Sequence, residues 1–127
     1  VLVMSVDAGF GGQSYIWSCT EKIKKLRSML DKCGSSADLE VDGGVNIDTV
    51  GEVVAAGANA FVAGSAVFND KHSVDENVRL LRDRIASYWK NIFVLFSALS
   101  DFFFWASHLT DANTVTLVDH YYFSTSH

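Results

Sequence analysis

The chain lacks proline altogether, has only two cysteines in 127 residues, and carries no run of lysines or arginines. Without a basic face, and with a formal net charge of −5, it is a poor match for nucleic acid, whose phosphates demand clustered cations. The same lack argues against binding to an anionic membrane surface. Cys19 and Cys33 fall within one predicted helix, which holds them roughly 21 Å apart along its axis. That is far beyond disulfide reach, so both are expected to be reduced, half-buried thiols of a cytosolic-type protein. No basic n-region and no small-residue cleavage site mark a signal peptide, which makes cytoplasmic the expected location. The chain opens at Val1, inside an apolar strand-like run. A protein rarely starts inside a buried strand, so a fragment is expected.

Two further scarcities divide the chain. All nine glycines lie before Ala86, and charge thins out after it. In their place come 11 of the 16 aromatics, so residues 1–86 and 87–127 are read separately.

In residues 1–86, short apolar runs alternate with longer periodic segments. VLVMSV, from Val1 to Val6, is β-branched, continuous and ended by glycines, the pattern of a fully buried strand. Ile16, Cys19, Ile23, Leu26, Leu30 and Cys33 then recur in steps of three and four. They form one face of a helix, with Gly34 as its C′ stop. Leu39 to Val41 reads as a second strand. Asp48 or Thr49 is expected to cap a short helix through Val53 and Val54 that stops at Gly57. Ala60 to Ala63 reads as a third strand, and a further helical segment follows from about Val74 through Val78, Leu81 and Ile85.

Strand alternating with helix is the signature of a parallel sheet with right-handed crossovers. Each strand ends in a glycine-containing polar loop, and in a (β/α)8 barrel those ends form the active-site face. Three units cannot close a barrel of eight strands, and a small open α/β sheet with helices on both faces fits the local pattern equally well. The segment from Ile92 to Leu109 approaches the length of a membrane span. Asp101 at its centre makes that expensive, so a greasy helix or an unstructured tail is the expectation.

Three loops bear chemistry. Asp7-Ala8-Gly9-Phe10-Gly11-Gly12-Gln13 lets backbone N–H groups approach an anion without Cβ interference, although glycine-rich turns are also common without a ligand. Val41-Asp42-Gly43-Gly44-Val45 places a carboxylate at a strand end, either a turn former or an acid facing a ligand. Gly64 and Ser65, after Ala63, offer N–H and hydroxyl donors to a phosphate. Singly each is weak; at successive strand ends of one alternating chain they describe a phosphate pocket.

VLVMSVDAGFGGQ, LEVDGGVN and AGANAFVAGSAVF, in this order and spacing, resemble the last three βα units of ribulose-phosphate 3-epimerases. GFGGQ is the most discriminating element, while the DGG and GS pair is shared more widely among phosphate-binding barrels. The resemblance covers about residues 1–86, and nothing in 87–127 joins it. It implies a partial (β/α)8 (TIM) barrel with a non-family tail. It also implies interconversion of D-ribulose 5-phosphate and D-xylulose 5-phosphate by proton transfer at C3. By motif position Asp42 is then both an acid–base group and a metal ligand. Gly9, Phe10, Gly11 and Gly12 line the substrate site, and Gly43, Gly44, Gly64 and Ser65 supply phosphate donors. Met4 is an apolar wall near the reacting carbons, or else a core methionine. The implied cofactor is a divalent ion, zinc foremost, with iron, manganese or cobalt as alternatives, held by two aspartates and two histidines.

Ala8 stands where the family usually has proline, and His72, His108, His120 and His127 match none of the family's ligand positions. Two other readings compete. One is a non-catalytic half-barrel that binds phosphate or docks on a partner, whose unpaired strand edges favour a homo-oligomer. The other is a related enzyme such as a hexulose-phosphate synthase or an orotidine decarboxylase relative, against which GFGGQ weighs.

Overall fold

Three short apolar runs lie side by side in a computed structural model that describes residues 1–97. Strand β1 (Leu2–Met4) pairs with β2 (Glu40–Asp42), and β2 pairs with β3 (Ala60–Val62), all parallel, in the order β1-β2-β3. Helix α1 (Cys19–Lys32) crosses from β1 to β2, and α2 (Val50–Ala55) crosses from β2 to β3. A one-turn helix α3 (Gly64–Val67) and the long α4 (Val74–Ser97) follow. The expected alternation is present, with α3 as an addition that no periodicity announced.

The register explains which face is covered. Val3, Val41 and Phe61 align across the sheet, and all three are buried against the helices. Ile23 of α1, Val50, Val53 and Val54 of α2, and Leu81 and Ile85 of α4 complete that core. Burying one such side chain contributes about 1.5–3 kcal/mol, so this layer carries most of the apolar stabilisation. The residues between them in the strands point the other way, because side chains alternate across a strand. Leu2, Met4, Glu40, Asp42, Ala60 and Val62 make up this second face. Leu2 and Met4 are more than half exposed there.

VLVMSV is therefore not buried on both sides as its composition suggested: the described helices cover only one face. Cys33 is exposed, not half-buried, because α1 ends there. Its Sγ donates to the Leu30 carbonyl at 3.3 Å, whereas Cys19 is buried, and neither thiol forms a disulfide among the described residues. Asp48 and Thr49 give α2 no side-chain cap in the expected way. Asn46 takes that role. Its Oδ1 accepts from the Asp48 N–H at 2.8 Å and the Thr49 N–H at 3.2 Å, and its carbonyl accepts from the Val50 N–H at 2.8 Å. α4 runs on past Ala86 without a break. Among the described residues no helix is long and apolar enough to cross a membrane. The span considered from Ile92 to Leu109 extends beyond them.

Candidate active site

The carboxyl ends of three neighbouring parallel strands meet on one edge of the molecule, and every residue of the expected site lies there. Met4 ends β1 and Asp42 ends β2. The two are Cα partners, so both stand on the uncovered face of the sheet. Asp42 is half-buried, and its carboxylate makes no hydrogen bond or ion pair among the described residues. A carboxylate held at a strand end with its oxygens uncommitted is free to exchange a proton or accept a ligand.

The loop after β1 carries Gly9, Phe10, Gly11 and Gly12, all exposed, with Phe10 at 75 %. Gln13 holds it in shape. Its Nε2 donates to the Asp7 carbonyl at 2.7 Å and to the Phe10 carbonyl at 2.9 Å, drawing both ends of the loop together. The last member of GFGGQ is thus a strut, a role the motif alone did not disclose.

The turn after β2 is packed far more closely. A Cβ at Gly43 would lie 2.6 Å from a methyl of Val6, and one at Gly44 would overlap the Tyr15 amide. Both glycines have positive φ, 121° and 67°, a region that L side chains rarely adopt. Tyr15 itself is buried, and its hydroxyl shares a 3.0 Å hydrogen bond with Thr20 Oγ1. Burial pushes the Tyr15 hydroxyl above the ordinary tyrosine pKa, with the Thr20 hydrogen bond opposing it. On the far side of the turn, Thr49 Oγ1 donates to the Gly44 carbonyl at 2.9 Å. The turn is therefore gripped between the returning β1 loop and the start of α2.

Gly64 and Ser65 open α3 directly after β3 and are exposed. A side chain at Gly64 or Gly11 would meet nothing within 4 Å, and neither residue has positive φ. Nothing in the described structure requires glycine at those two places, although glycine costs about 0.5–1 kcal/mol of chain entropy.

A cleft of about 500 Å³ opens beside this edge, lined by Asn46, Asp48, Ser65, Lys71, His72 and Leu81 among others. Asp42, Met4 and the β1 loop do not line it and only Ser65 of the expected site does, so the strand-end edge, not the cleft, is the candidate site. His72 precedes α4 with its Nδ1 3.5 Å from Glu76 Oε2, nearly half exposed and remote from Asp42 in the chain. His108, His120 and His127 lie outside the described residues. No three of His, Cys, Asp or Glu gather as a metal ion would require among the described residues. Asp42 alone does not fit a divalent ion that needs three or four ligands.

The model of the family described as "Ribulose-phosphate 3 epimerase family" matches residues 1–68. The ribulose-phosphate 3-epimerase of Serratia marcescens is 52% identical over 68 residues, which cover 54% of this chain and 32% of that protein. That of Escherichia coli K12 is 48% identical over 79 residues, covering 60% of this chain and 35% of that protein. The chloroplastic ribulose-5-phosphate-3-epimerase of Arabidopsis thaliana is 55% identical over 71 residues, covering 56% and 25% respectively. The chain spans about a third of the length of the curated relatives it matches.

Proposed function

This chain belongs to the ribulose-phosphate 3 epimerase family, and we propose that residues 1–86 are the last three βα units of a (β/α)8 barrel that epimerises a pentulose 5-phosphate. On this reading residues 87–127 are a tail outside the barrel. The substrate pair is D-ribulose 5-phosphate and D-xylulose 5-phosphate, differing at C3. The observation that carries the reading is the meeting of three loops, Asp7 to Gln13, Asp42 to Gly44, and Gly64 to Ser65, at adjacent parallel strand ends around the uncommitted Asp42 carboxylate. Helices confined to one face of the sheet agree with a barrel wall, whose other face lines the interior.

The division of labour follows from what each loop offers. Backbone N–H groups of Gly9 to Gly12 and of Gly43, Gly44, Gly64 and Ser65, with the Ser65 hydroxyl, hold the phosphate. Gly11 and Gly64 acquire a reason for lacking a side chain, because a phosphate seated there needs the backbone close. The anchored phosphate fixes the sugar so that C3 lies against Asp42. The Asp42 carboxylate takes the C3 proton, and the C–H electron pair enters an enediolate. A second carboxylate, outside this chain, returns a proton to the opposite face. Met4, beside Asp42 on the same face, excludes water from the carbanionic carbon. Of the ligands for the divalent ion, zinc or an alternative, this chain is ascribed one at most, Asp42.

The test is Asp42→Asn in a complete barrel that carries residues 1–68. Turnover is expected to fall by about 10²–10⁴-fold, the usual contribution of a general base, while inhibition by inorganic phosphate stays unchanged. Lost phosphate affinity with turnover intact would reverse the assigned roles.

A further inference from the structure

Ser5 is the one hydroxyl in the VLVMSV run, and it is completely buried. Each of its polar groups is committed. Its N–H donates to the Asp42 carbonyl at 2.8 Å, and its carbonyl accepts from the Ile16 N–H at 2.9 Å. Its Oγ lies 2.6 Å from the Gly43 carbonyl and 3.0 Å from the Asp42 carbonyl. A hydroxyl has a single hydrogen, and the Asp42 carbonyl already accepts from the Ser5 amide, so the short contact to Gly43 is the hydrogen bond.

That bond fixes a direction. In a trans peptide the C=O and the following N–H point opposite ways. With the Gly43 carbonyl drawn onto Ser5, the Gly44 N–H is turned away from Ser5 and from the buried layer beneath it. The same bond holds the residue that directly follows Asp42. The glycines need such a tether more than other residues would, because they restrain φ and ψ least.

We propose that Ser5 is a positioning residue whose buried hydroxyl, by holding the Gly43 carbonyl, aims the Gly44 amide outward at the anion and keeps Asp42 in its register beside Met4. This rests on the reading of the strand-end loops as a phosphate pocket. Ser5 itself touches neither substrate nor phosphate.

The experiment uses the 127-residue chain, with amide resonances of Gly43 and Gly44 followed during titration with inorganic phosphate. Ser5→Ala is expected to move both resonances before phosphate is added and to weaken phosphate binding about tenfold, the usual effect of one lost buried hydrogen bond. Ser5→Thr, which keeps the donor, is expected to return both readouts to within twofold of the parent. A purely structural role would lower the urea midpoint and leave resonances and affinity of the folded fraction unchanged. That outcome overturns the proposal, as does a threonine variant that behaves like alanine. Should Ser5→Ala not fold, Ser5→Cys decides on the same readouts, being close in size and a far weaker donor. A parent chain that takes up no phosphate counts against the pocket, while the Gly43 and Gly44 resonances still judge Ser5.

Discussion

A methyl group on Gly44 would run into the backbone of Tyr15, whereas one on Gly11 would meet open space. The two glycines are alike in sequence and opposite in kind. Gly44→Ala combines a positive φ with overpacking against a peptide unit that cannot rotate aside. It is expected to destabilise the fold by about 2–4 kcal/mol, read as a fall in the urea midpoint. Gly11→Ala is expected to leave stability within about 1 kcal/mol of the parent or to raise it, yet to weaken phosphate binding in an amide titration. If Gly11→Ala binds phosphate as the parent does, the loop is a turn and not a ligand cradle. Sequence marked both residues as candidate binders, because a glycine pattern records where side chains are missing and not what stands in their way.

Helix ends were legible to different degrees, and the reason is local. Gly34 and Gly57 both sit just past a helix with positive φ, at 65° and 103°. In each case two reverse hydrogen bonds close the end. Ser35 N–H donates to Leu30 O and Gly34 N–H to Asp31 O, and Ala58 N–H to Val53 O and Gly57 N–H to Val54 O. Only glycine enters that conformation readily, so the stop is visible in the letters. For the start of α2 the sequence pointed to Asp48 or Thr49 and passed over Asn46, although propensity cannot rank the three. Tertiary contacts did so by drawing Thr49 Oγ1 onto Gly44 and leaving Asn46 to cap. Asn46→Ala is accordingly expected to cost about 0.5–2 kcal/mol, and Asp48→Ala far less, in paired thermal melts. Equal losses would return the cap to Asp48. The site was legible where it consists of strand-end residues, Asp42 above all. It was not legible where it depends on what holds them, since Ser5 and Gln13 read only as strand and motif, and Tyr15 drew no reading, until their partners are known.

At the scale of the molecule, the sheet is covered on one face only among the described residues. Val1, Leu2 and Met4 are each about half exposed, and β1 and β3 are the outer strands of the described sheet. Parallel edges with apolar residues beside them invite further pairing. The isolated chain is therefore expected to self-associate as its concentration rises, and sedimentation velocity over a hundredfold concentration range would reveal it. A compact monomer throughout would mean that some other part of the chain shields this face.

The parallel register has one more consequence, which concerns the order of assembly. β2 meets β3 after a short crossover, while β1 meets β2 only after one nearly twice as long. Doubling a loop adds about 0.6 kcal/mol of closure entropy, and the buried α2 lies inside the shorter one. β2–α2–β3 is thus the natural nucleus, onto which β1 docks afterwards. The hydroxyl that steadies the Gly43 turn arrives with β1, so the chain acquires its fold before it acquires its aim.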